Sequence, residues 1–294
     1  LPTLLGFGLL LAVFPFGTWM PALAADAPPI ATAFIFTVSQ AMTLYLLLLF
    51  LRNSPWMLEE TALPTFIQLA GLLMAASGGI MAAVQQDFGR LFGYAALSDL
   101  GYLLLASVVG GSQGEILTLL YVTNRAVSVT LMAAGLAILR QRAATDQFAG
   151  LQGVARKLPV ATLGVMIGGL ALAGFPLTAG FPIHWSVSRA VWSWAQPLAA
   201  FAGEAAGGTL PLSDVRWPEV LSVLALLASS VGITVGLLRG LGAMLGEIRE
   251  DVGRQPVIVS LMVLALASLV IVLGLHPQLF LGPVRSAVEA LAQF

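Results

Sequence analysis

The sequence predicts an all-α membrane protein: a polytopic bundle of about eight transmembrane helices, two of which are broken. Three observations support this prediction. Hydrophobic residues make up 59% of the 294 residues and charged residues only 9%, whereas soluble domains carry about 25% charged residues. The mean hydropathy is +0.95, and apolar stretches of about 20 residues, long enough to cross a bilayer, recur along the chain. Prolines interrupt two of these stretches.

Eight stretches are candidates for spanning helices, and Leu, Ala and Gly dominate them. In chain order they cover residues 1–22, 29–52, 62–85, 88–110, 114–141, 158–200, 217–246 and 256–275. They lack the strict alternation of outer-membrane barrel strands, so helices are predicted throughout. Small residues four positions apart, as at Gly71 and Ala75 or at Gly164 and Gly168, predict close helix packing in lipid.

Lysine and arginine are unevenly distributed between the two sets of connecting loops. One side carries Arg90, Arg140, Arg142, Arg156, Lys157, Arg239, Arg249 and Arg254, and the other carries Arg52, Arg216 and Arg285. The positive-inside rule therefore predicts that the loops after the first, third, fifth and seventh stretches are cytoplasmic, in a prokaryotic-type cytoplasmic membrane. The C-terminal tail on the outer side is predicted to form a short amphipathic interfacial helix, with fraying as the alternative. The polar connection Phe201–Trp217 is predicted to be a loop.

Two apolar stretches contain helix-breaking residues, the first reading "GFGLLLAVFPFGTWMPAL" and the second "LALAGFPLTAGFPIHW". The candidate breaking residues are Pro15, Pro21, Gly174, Pro176, Gly180 and Pro182. Proline removes a backbone donor and clashes with the preceding turn. In lipid the freed groups need partners, so broken helices tend to line polar cavities or ion paths. A simple proline kink is the alternative, but two breaks, one of them followed by His184, favour a functional role.

Few ionisable residues fall inside the predicted spans: Asp99, Arg125, His184 and Arg189. A charge at the bilayer centre costs about 2.5–3.5 kcal/mol on insertion scales, so such residues usually face the bundle interior. Asp99 and Arg125 lie on adjacent predicted helices and are candidates for an ion pair. That pair could hold two helices in register or serve as a step in a proton relay. His184 titrates near neutral pH, which suits a proton carrier, or it could simply bond a freed carbonyl.

Several kinds of site are not predicted. The chain has no cysteine, which excludes thiolate metal sites, and its two histidines, His184 and His276, are far apart in sequence. No basic patch indicates nucleic acid. No stretch resembles a flavin, iron–sulfur or nucleotide site, so no cofactor is expected in this chain.

Three segments resemble a known family. They are Gly6–Phe34, Val84–Ala106 ("VQQDFGRLFGYAALSDLGYLLLA") and Leu151–Trp185 ("LQGVARKLPVATLGVMIGGLALAGFPLTAGFPIHW"). Together they are similar to the antiporter-like, proton-translocating membrane subunits of respiratory complex I, which also occur in membrane-bound hydrogenases and multisubunit sodium/proton antiporters. The matches run in family order along nearly the whole chain.

The resemblance implies a single membrane domain over 1–294 that corresponds to helices seven to fourteen of the family. Within it, 1–57 would end a first repeat, with a broken helix over 1–22 and a helix over 29–52. Residues 58–200 would form a second repeat with a broken helix over 158–200 that opens a hydrated half-channel, and 217–294 would add two helices and the interfacial tail. The first six helices of the family would either be missing or be supplied by another chain.

The chain also departs from the family pattern. Leu10 stands in place of a lysine, Gly17 in place of a histidine, and Gln40 is the amide on a helix that usually carries a lysine or a histidine. His184 stands where the family has a lysine or a glutamate, and Arg125 stands where many members have a lysine. Because arginine stays protonated in proteins, it is a poor carrier. His184 and Asp99 therefore remain as the protonatable steps, with Arg125 beside them.

The leading hypothesis is a membrane subunit of a complex I-like, redox-driven ion pump that contributes to proton translocation. Its partners would be other membrane subunits and the lipid bilayer, and the redox active site would lie in other chains. A non-pumping structural subunit of the same kind of assembly is the alternative. An independent secondary transporter is a third reading, although no cluster of polar residues indicates a solute pocket.

Overall fold

The computed structural model describes residues 2–54, 56–59, 63–108, 111–193, 217–246, 253 and 255–291, and almost all of them are helical. The helices are α1 (Pro2–Leu10), α2 (Trp19–Asp26), α3 (Pro29–Arg52), α4 (Trp56–Glu59), α5 (Leu63–Val84), α6 (Phe88–Ser107), α7 (Gly111–Ala143), α8 (Val154–Lys157), α9 (Pro159–Leu172), α10 (Gly180–Ser193), α11 (Trp217–Met244), α12 (Val257–Leu275) and α13 (Gln278–Leu291). No β-strand occurs in these ranges, so the predicted all-α class is confirmed. The end of the sixth predicted span (194–200) and the polar connection over 201–216 lie outside the described residues.

Among the described residues, five helices are long and apolar enough to cross a membrane: α3, α5, α7, α11 and α12. Helix α6 is the most buried element, and α2, α5 and α7 pack directly against it. The outer helix α12 exposes large apolar side chains such as Ile258, which is 75% exposed. Such a surface faces lipid or a neighbouring membrane helix, because it is too apolar for water.

Glycines set the spacing of the central helices. A Cβ atom at Gly71 of α5 would lie 2.9 Å from the carbonyl oxygen of Gly101 on α6, and one at Gly168 of α9 would lie 2.5 Å from the backbone nitrogen of Met132 on α7. Real Cβ atoms do not approach so closely, so only glycine allows these backbones to touch. The close packing predicted from the small residues is confirmed.

The first broken helix consists of α1 and α2. Between them lie Ala12, which has a positive φ of 52°, and a short 3₁₀ turn over Phe16–Thr18 that follows Pro15. Pro21, which the sequence assigned to the interruption, lies in the first turn of α2 and is buried. The first turn of a helix needs no intrahelical partner for its backbone N–H groups, so proline fits there without breaking the helix.

The second broken helix consists of α9 and α10, joined by the non-helical segment 173–179. Gly174 has a φ of +68°, a conformation that glycine adopts without strain. Pro176 lies inside the segment, whereas Gly180 begins α10 and Pro182 lies in its first turn. The interruption is therefore shorter than the run of breaking residues in the sequence.

The C-terminal tail forms helix α13, with Pro283 inside it, and packs against α7. A helix was the favoured expectation for this tail, and fraying was its alternative. Its placement at a membrane interface stays a prediction.

Candidate functional site

Helix α3 changes its geometry where it faces the bundle centre. Over Ile35–Ser39 it forms a π-helical turn, in which backbone N–H groups bond five residues back instead of four. The Nε of Arg125, from α7, donates to the carbonyl oxygen of Phe36 in this turn at 3.2 Å. The π turn thus makes a backbone acceptor available to a charged side chain from another helix.

Each nitrogen of the Arg125 guanidinium group has an acceptor, although the residue is only 2% exposed. Besides the bond to Phe36, its Nη2 donates to Oε1 of Gln40 at 2.7 Å. Its Nη1 donates to the carbonyl oxygen of Ala96 at 3.0 Å and forms an ion pair with Oδ2 of Asp99. A buried charge is tolerated only when it is paired and hydrogen-bonded in this way. Arg125 therefore ties α3, α6 and α7 together.

The ion pair lies near the middle of a helix that is long enough to cross a bilayer. Arg125 is fourteen residues after Gly111 and eighteen residues before Ala143, the two ends of α7. In a helix that spans the membrane, such a position lies close to the centre of the bilayer core.

Asp99, on α6, has both carboxylate oxygens occupied and is fully buried. Oδ2 is paired with Arg125, and Oδ1 accepts a hydrogen bond from the Tyr121 hydroxyl at 2.8 Å. Tyr121 precedes Arg125 by four residues and so lies on the same face of α7. One turn of α7 therefore supplies both partners of Asp99.

His184 lies on α10, immediately after the second interruption, and is 5% exposed. Its Nε2 lies 3.0 Å from the Tyr121 hydroxyl and 3.9 Å from Oδ1 of Asp99. Its Nδ1 lies 3.0 Å from the carbonyl oxygen of Gly180, and the ring of Tyr102 packs on it with the centroids 4.2 Å apart. The imidazole therefore has partners at both nitrogens and on its face.

The second interruption also provides the space that the His184 ring occupies. A Cβ atom at Gly174 would lie 2.5 Å from Cγ of His184. Gly174 thus has two roles. It adopts the positive φ with which the chain leaves α9, and its lack of a side chain leaves room for the imidazole. The break and the histidine form one structural unit.

These contacts join five side chains into one connected set, which we call the buried polar cluster: Gln40, Arg125, Asp99, Tyr121 and His184. At one end, Nε2 of Gln40 contacts the sulfur of Met20 in α2 at 3.4 Å. At the other end, His184 lies at the second interruption. The buried polar cluster therefore runs from one broken helix to the other at mid-membrane depth.

One more polar group lies near the interruption. The Asn124 side chain is buried, and its Nδ2 has no hydrogen-bond partner among the described residues. Helices α7 and α9 are antiparallel, with Gly135 against Val165 and Met132 against Gly168. Extending this register by two turns puts Asn124 level with the non-helical segment along the axis of α7. Water is the usual partner of such a buried amide.

On the arginine-rich side of the bundle, a second set of polar side chains binds the backbone at the end of α2. Arg140 donates to the carbonyl oxygens of Ala24 and Ala27 and to Oδ2 of Asp146. Nearby, Asp87 caps α6 by accepting from the backbone nitrogen of Arg90 at 2.7 Å. Burial raises the pKa of Asp87 above its ordinary value, and the charge of Asp146 adds to this effect, although the bond from Arg90 opposes it.

The structure brings together the three ionisable residues that the sequence singled out, Asp99, Arg125 and His184. Arg189 lies apart from them, exposed toward the end of α10. Within the described part of the chain, no three His, Cys, Asp or Glu side chains are close enough to hold a metal ion.

Comparisons with known proteins agree with this architecture. The family described as NADH:quinone oxidoreductase/Mrp antiporter, transmembrane, matches residues 1–208. NADH-quinone oxidoreductase subunit N of Chromohalobacter salexigens is 29% identical over 97% of this chain and 56% of its own length. The chain therefore spans about half the length of this relative.

Two solved structures share the fold. A chain of the Mrp complex from Dietzia sp. DQ12-45-1b superposes with a TM-score of 0.77 at 16% identity, covering 97% of this chain and 57% of that one. A chain of respiratory complex I from Thermus thermophilus gives a TM-score of 0.68 at 25% identity, covering 95% and 57%. Both come from multisubunit membrane complexes.

Proposed function

Because the chain belongs to the NADH:quinone oxidoreductase/Mrp antiporter membrane family, as its sequence motifs indicated, we propose that it contributes to proton translocation as one subunit of a complex I-like assembly. The observation that carries this proposal is the buried polar cluster, which connects the two broken helices at mid-membrane depth. Each buried polar group is costly to insert in lipid, so a connected set of five such side chains supports a role beyond helix packing.

Two members of the buried polar cluster exchange protons in this proposal. His184 is the carrier next to the interruption, and Asp99 is the second protonatable group. Arg125 keeps its charge and acts as a fixed cation that stabilises the Asp99 carboxylate and holds α3, α6 and α7 in place. Protons reach His184 through water at the segment 173–179, an arrangement supported by the buried amide of Asn124.

The proposed assembly contains further membrane subunits beside this chain. Its relatives of known structure are chains of multisubunit membrane complexes, so the partners proposed here are other membrane subunits, with the redox chemistry placed in other chains. The part of the family fold that this sequence does not cover would come from an upstream segment or from a separate chain. The membrane would be a prokaryotic cytoplasmic membrane, with the arginine-rich loops on its cytoplasmic side.

A non-pumping structural subunit is the second candidate, and one observation favours it. Leu10 and Gly17, the positions where the family carries a lysine and a histidine, bring no ionisable group to the first broken helix, and Leu10 is 59% exposed at the surface of α1. In that case the ion pair of Asp99 and Arg125 would serve only to hold helices together.

Proton transport by the assembled complex separates the two candidates. We expect His184→Ala and Asp99→Asn each to slow transport by at least about tenfold, since positioned acid–base groups typically contribute 10²–10⁴-fold. His276→Ala is the matched control, because this second histidine lies at the end of α12 outside the cluster, and it should leave transport within about twofold. Normal transport in both cluster variants, in a complex that assembles normally, would leave only the structural role.

A further inference from the structure

The protons of the buried polar cluster can be counted from its hydrogen bonds. Three contacts follow one another: Oδ1 of Asp99 to the Tyr121 hydroxyl at 2.8 Å, this hydroxyl to Nε2 of His184 at 3.0 Å, and Nδ1 of His184 to the carbonyl oxygen of Gly180 at 3.0 Å. Each contact has hydrogen-bond length, so each needs one hydrogen between its two heavy atoms.

The contact at Gly180 fixes the tautomer of the histidine. A backbone carbonyl can only accept, so the Nδ1 of His184 must carry a hydrogen. In a neutral imidazole the other nitrogen, Nε2, is then a bare acceptor. The Tyr121 hydroxyl would have to donate to it.

The same hydroxyl is also needed by Asp99. If the carboxyl group is ionised and His184 is neutral, the Tyr121 hydrogen is the one hydrogen available for two contacts. One of the two contacts would then have no hydrogen between its heavy atoms, and the lone pairs of the two atoms would repel. This contact would be either Asp99 with Tyr121 or Tyr121 with His184. Both contacts are short and buried, so this protonation state leaves one of them unmade.

One additional proton completes the set, and it can lie in two places. In the first arrangement a protonated Asp99 donates to the Tyr121 oxygen, and the hydroxyl donates to Nε2 of neutral His184. In the second, Nε2–H of a cationic His184 donates to the Tyr121 oxygen, and the hydroxyl donates to the Asp99 carboxylate. Every contact is made in both arrangements, and both contain the same number of protons.

We propose that Asp99, Tyr121 and His184 form a triad that stores one excess proton, and that the Tyr121 hydroxyl passes it between the carboxyl group and the imidazole. In the forward step the O–H bond of Tyr121 breaks as Nε2–H forms, and the O–H bond of Asp99 breaks as a new O–H forms on Tyr121. The carboxyl group becomes anionic and the imidazole cationic, while the tyrosine is unchanged. Its role in transport rests on the proposed function; the stored proton itself does not.

The surroundings of the triad fit this step. Arg125 is bound to the other oxygen of Asp99, so its charge favours the arrangement with the proton on His184. Tyr102 touches the imidazole with its ring, but its hydroxyl donates to the carbonyl oxygen of Leu226 at 2.8 Å and contacts Ser230. In the described part of the chain these are the titratable or charged groups that face the triad, and only Tyr121 bridges Asp99 and His184.

The test compares the two tyrosines that contact His184, Tyr121 and Tyr102. Infrared difference spectra of the assembled complex, recorded between acid and alkaline pH, should contain a tyrosine C–O band that changes together with a carboxyl band. Tyr121→Phe should abolish the tyrosine change, and Asp99→Asn should abolish the carboxyl change, because asparagine cannot hold the extra proton. Tyr102→Phe is the matched control and should keep it. A tyrosine change that survives in Tyr121→Phe, or that is lost in Tyr102→Phe alone, would overturn the triad.

Transport measurements on the same variants separate this proposal from the proposed function. We expect Tyr121→Phe to slow proton transport at least about tenfold and Tyr102→Phe to leave it within about twofold. If His184→Ala stops transport but Tyr121→Phe does not, the relay through the hydroxyl is wrong and the proposed function stands. If His184→Ala leaves transport normal while the Tyr121 band behaves as expected, the triad stands and the proposed function is wrong.

Discussion

At the scale of single residues, Arg125 is the group on which the buried polar cluster depends. Its guanidinium is held by acceptors from α3 and α6 at once, including the carbonyl oxygen of Phe36 and the side chains of Gln40 and Asp99. Lysine could not make this set of bonds, because its ammonium is a compact group on a flexible stem. Removing the arginine would leave the Asp99 carboxylate buried without its cation.

We therefore expect Arg125→Ala to destabilise the protein by about 3–5 kcal/mol, the usual cost of removing one partner of a buried ion pair. Arg125→Lys should fall between Ala and the wild type. The exposed Arg189 on α10 provides the control, since surface substitutions usually change stability by less than about 0.5 kcal/mol. The readout is thermal unfolding in mild detergent. Equal effects of the two alanine variants would contradict this account of Arg125.

The residues of the cluster were not equally visible in the sequence. Asp99, Arg125 and His184 stood out because ionisable side chains are rare in apolar stretches. Tyr121 did not, because a tyrosine in a membrane helix is ordinary. Its spacing of four residues from Arg125 was the available signal, but it becomes informative only once the rotation of α7 toward α6 is known.

At the scale of elements, the second interruption and His184 depend on each other through Gly174. This glycine has a φ of +68°, and any side chain on it would collide with the imidazole. A larger residue would therefore strain the backbone and displace His184 from Tyr121 together. The second broken helix therefore positions His184 and is not only a kink.

Gly174→Ala tests this coupling. We expect a loss of about 1–3 kcal/mol from the strained backbone and, because His184 is displaced, a loss of proton transport comparable to that of His184→Ala. Gly242 in α11 is a matched control, since a Cβ atom there would meet nothing within 4 Å. Gly242→Ala should be neutral or stabilising by up to about 1 kcal/mol. Normal transport by Gly174→Ala would show that the interruption does not position the histidine.

Element boundaries show where sequence patterns lose precision. The breaking residues indicated the two interruptions, but Pro21 and Pro182 lie in first turns of helices, where proline is accommodated. The π turn over Ile35–Ser39 contains no proline or glycine, so no local sequence pattern predicted it. It is accompanied by the tertiary bond between Arg125 and Phe36, which no local pattern contains.

At the scale of the whole molecule, the proposed function requires that the second broken helix opens to water inside the membrane and delivers protons to a cluster that reaches the first broken helix. Composition and motif order were enough to predict the class, the family and the two breaks. The contact between Asp99 and Arg125 required the packing of the helices, because glycines such as Gly71 and Gly168 fix how closely and in what register they meet.

Labelling of introduced cysteines measures water access at the interruption, and this sequence contributes no cysteine of its own. Ala179 at the interruption and Ala133 inside α7 are both buried alanines, 5% and 0% exposed. In the assembled complex in sealed vesicles, a small, charged thiol reagent should label Ala179→Cys at least about tenfold faster than Ala133→Cys, because such reagents react with the hydrated thiolate. Equally slow labelling of both cysteines would mean that the interruption is dry, and that protons do not reach His184 by this route.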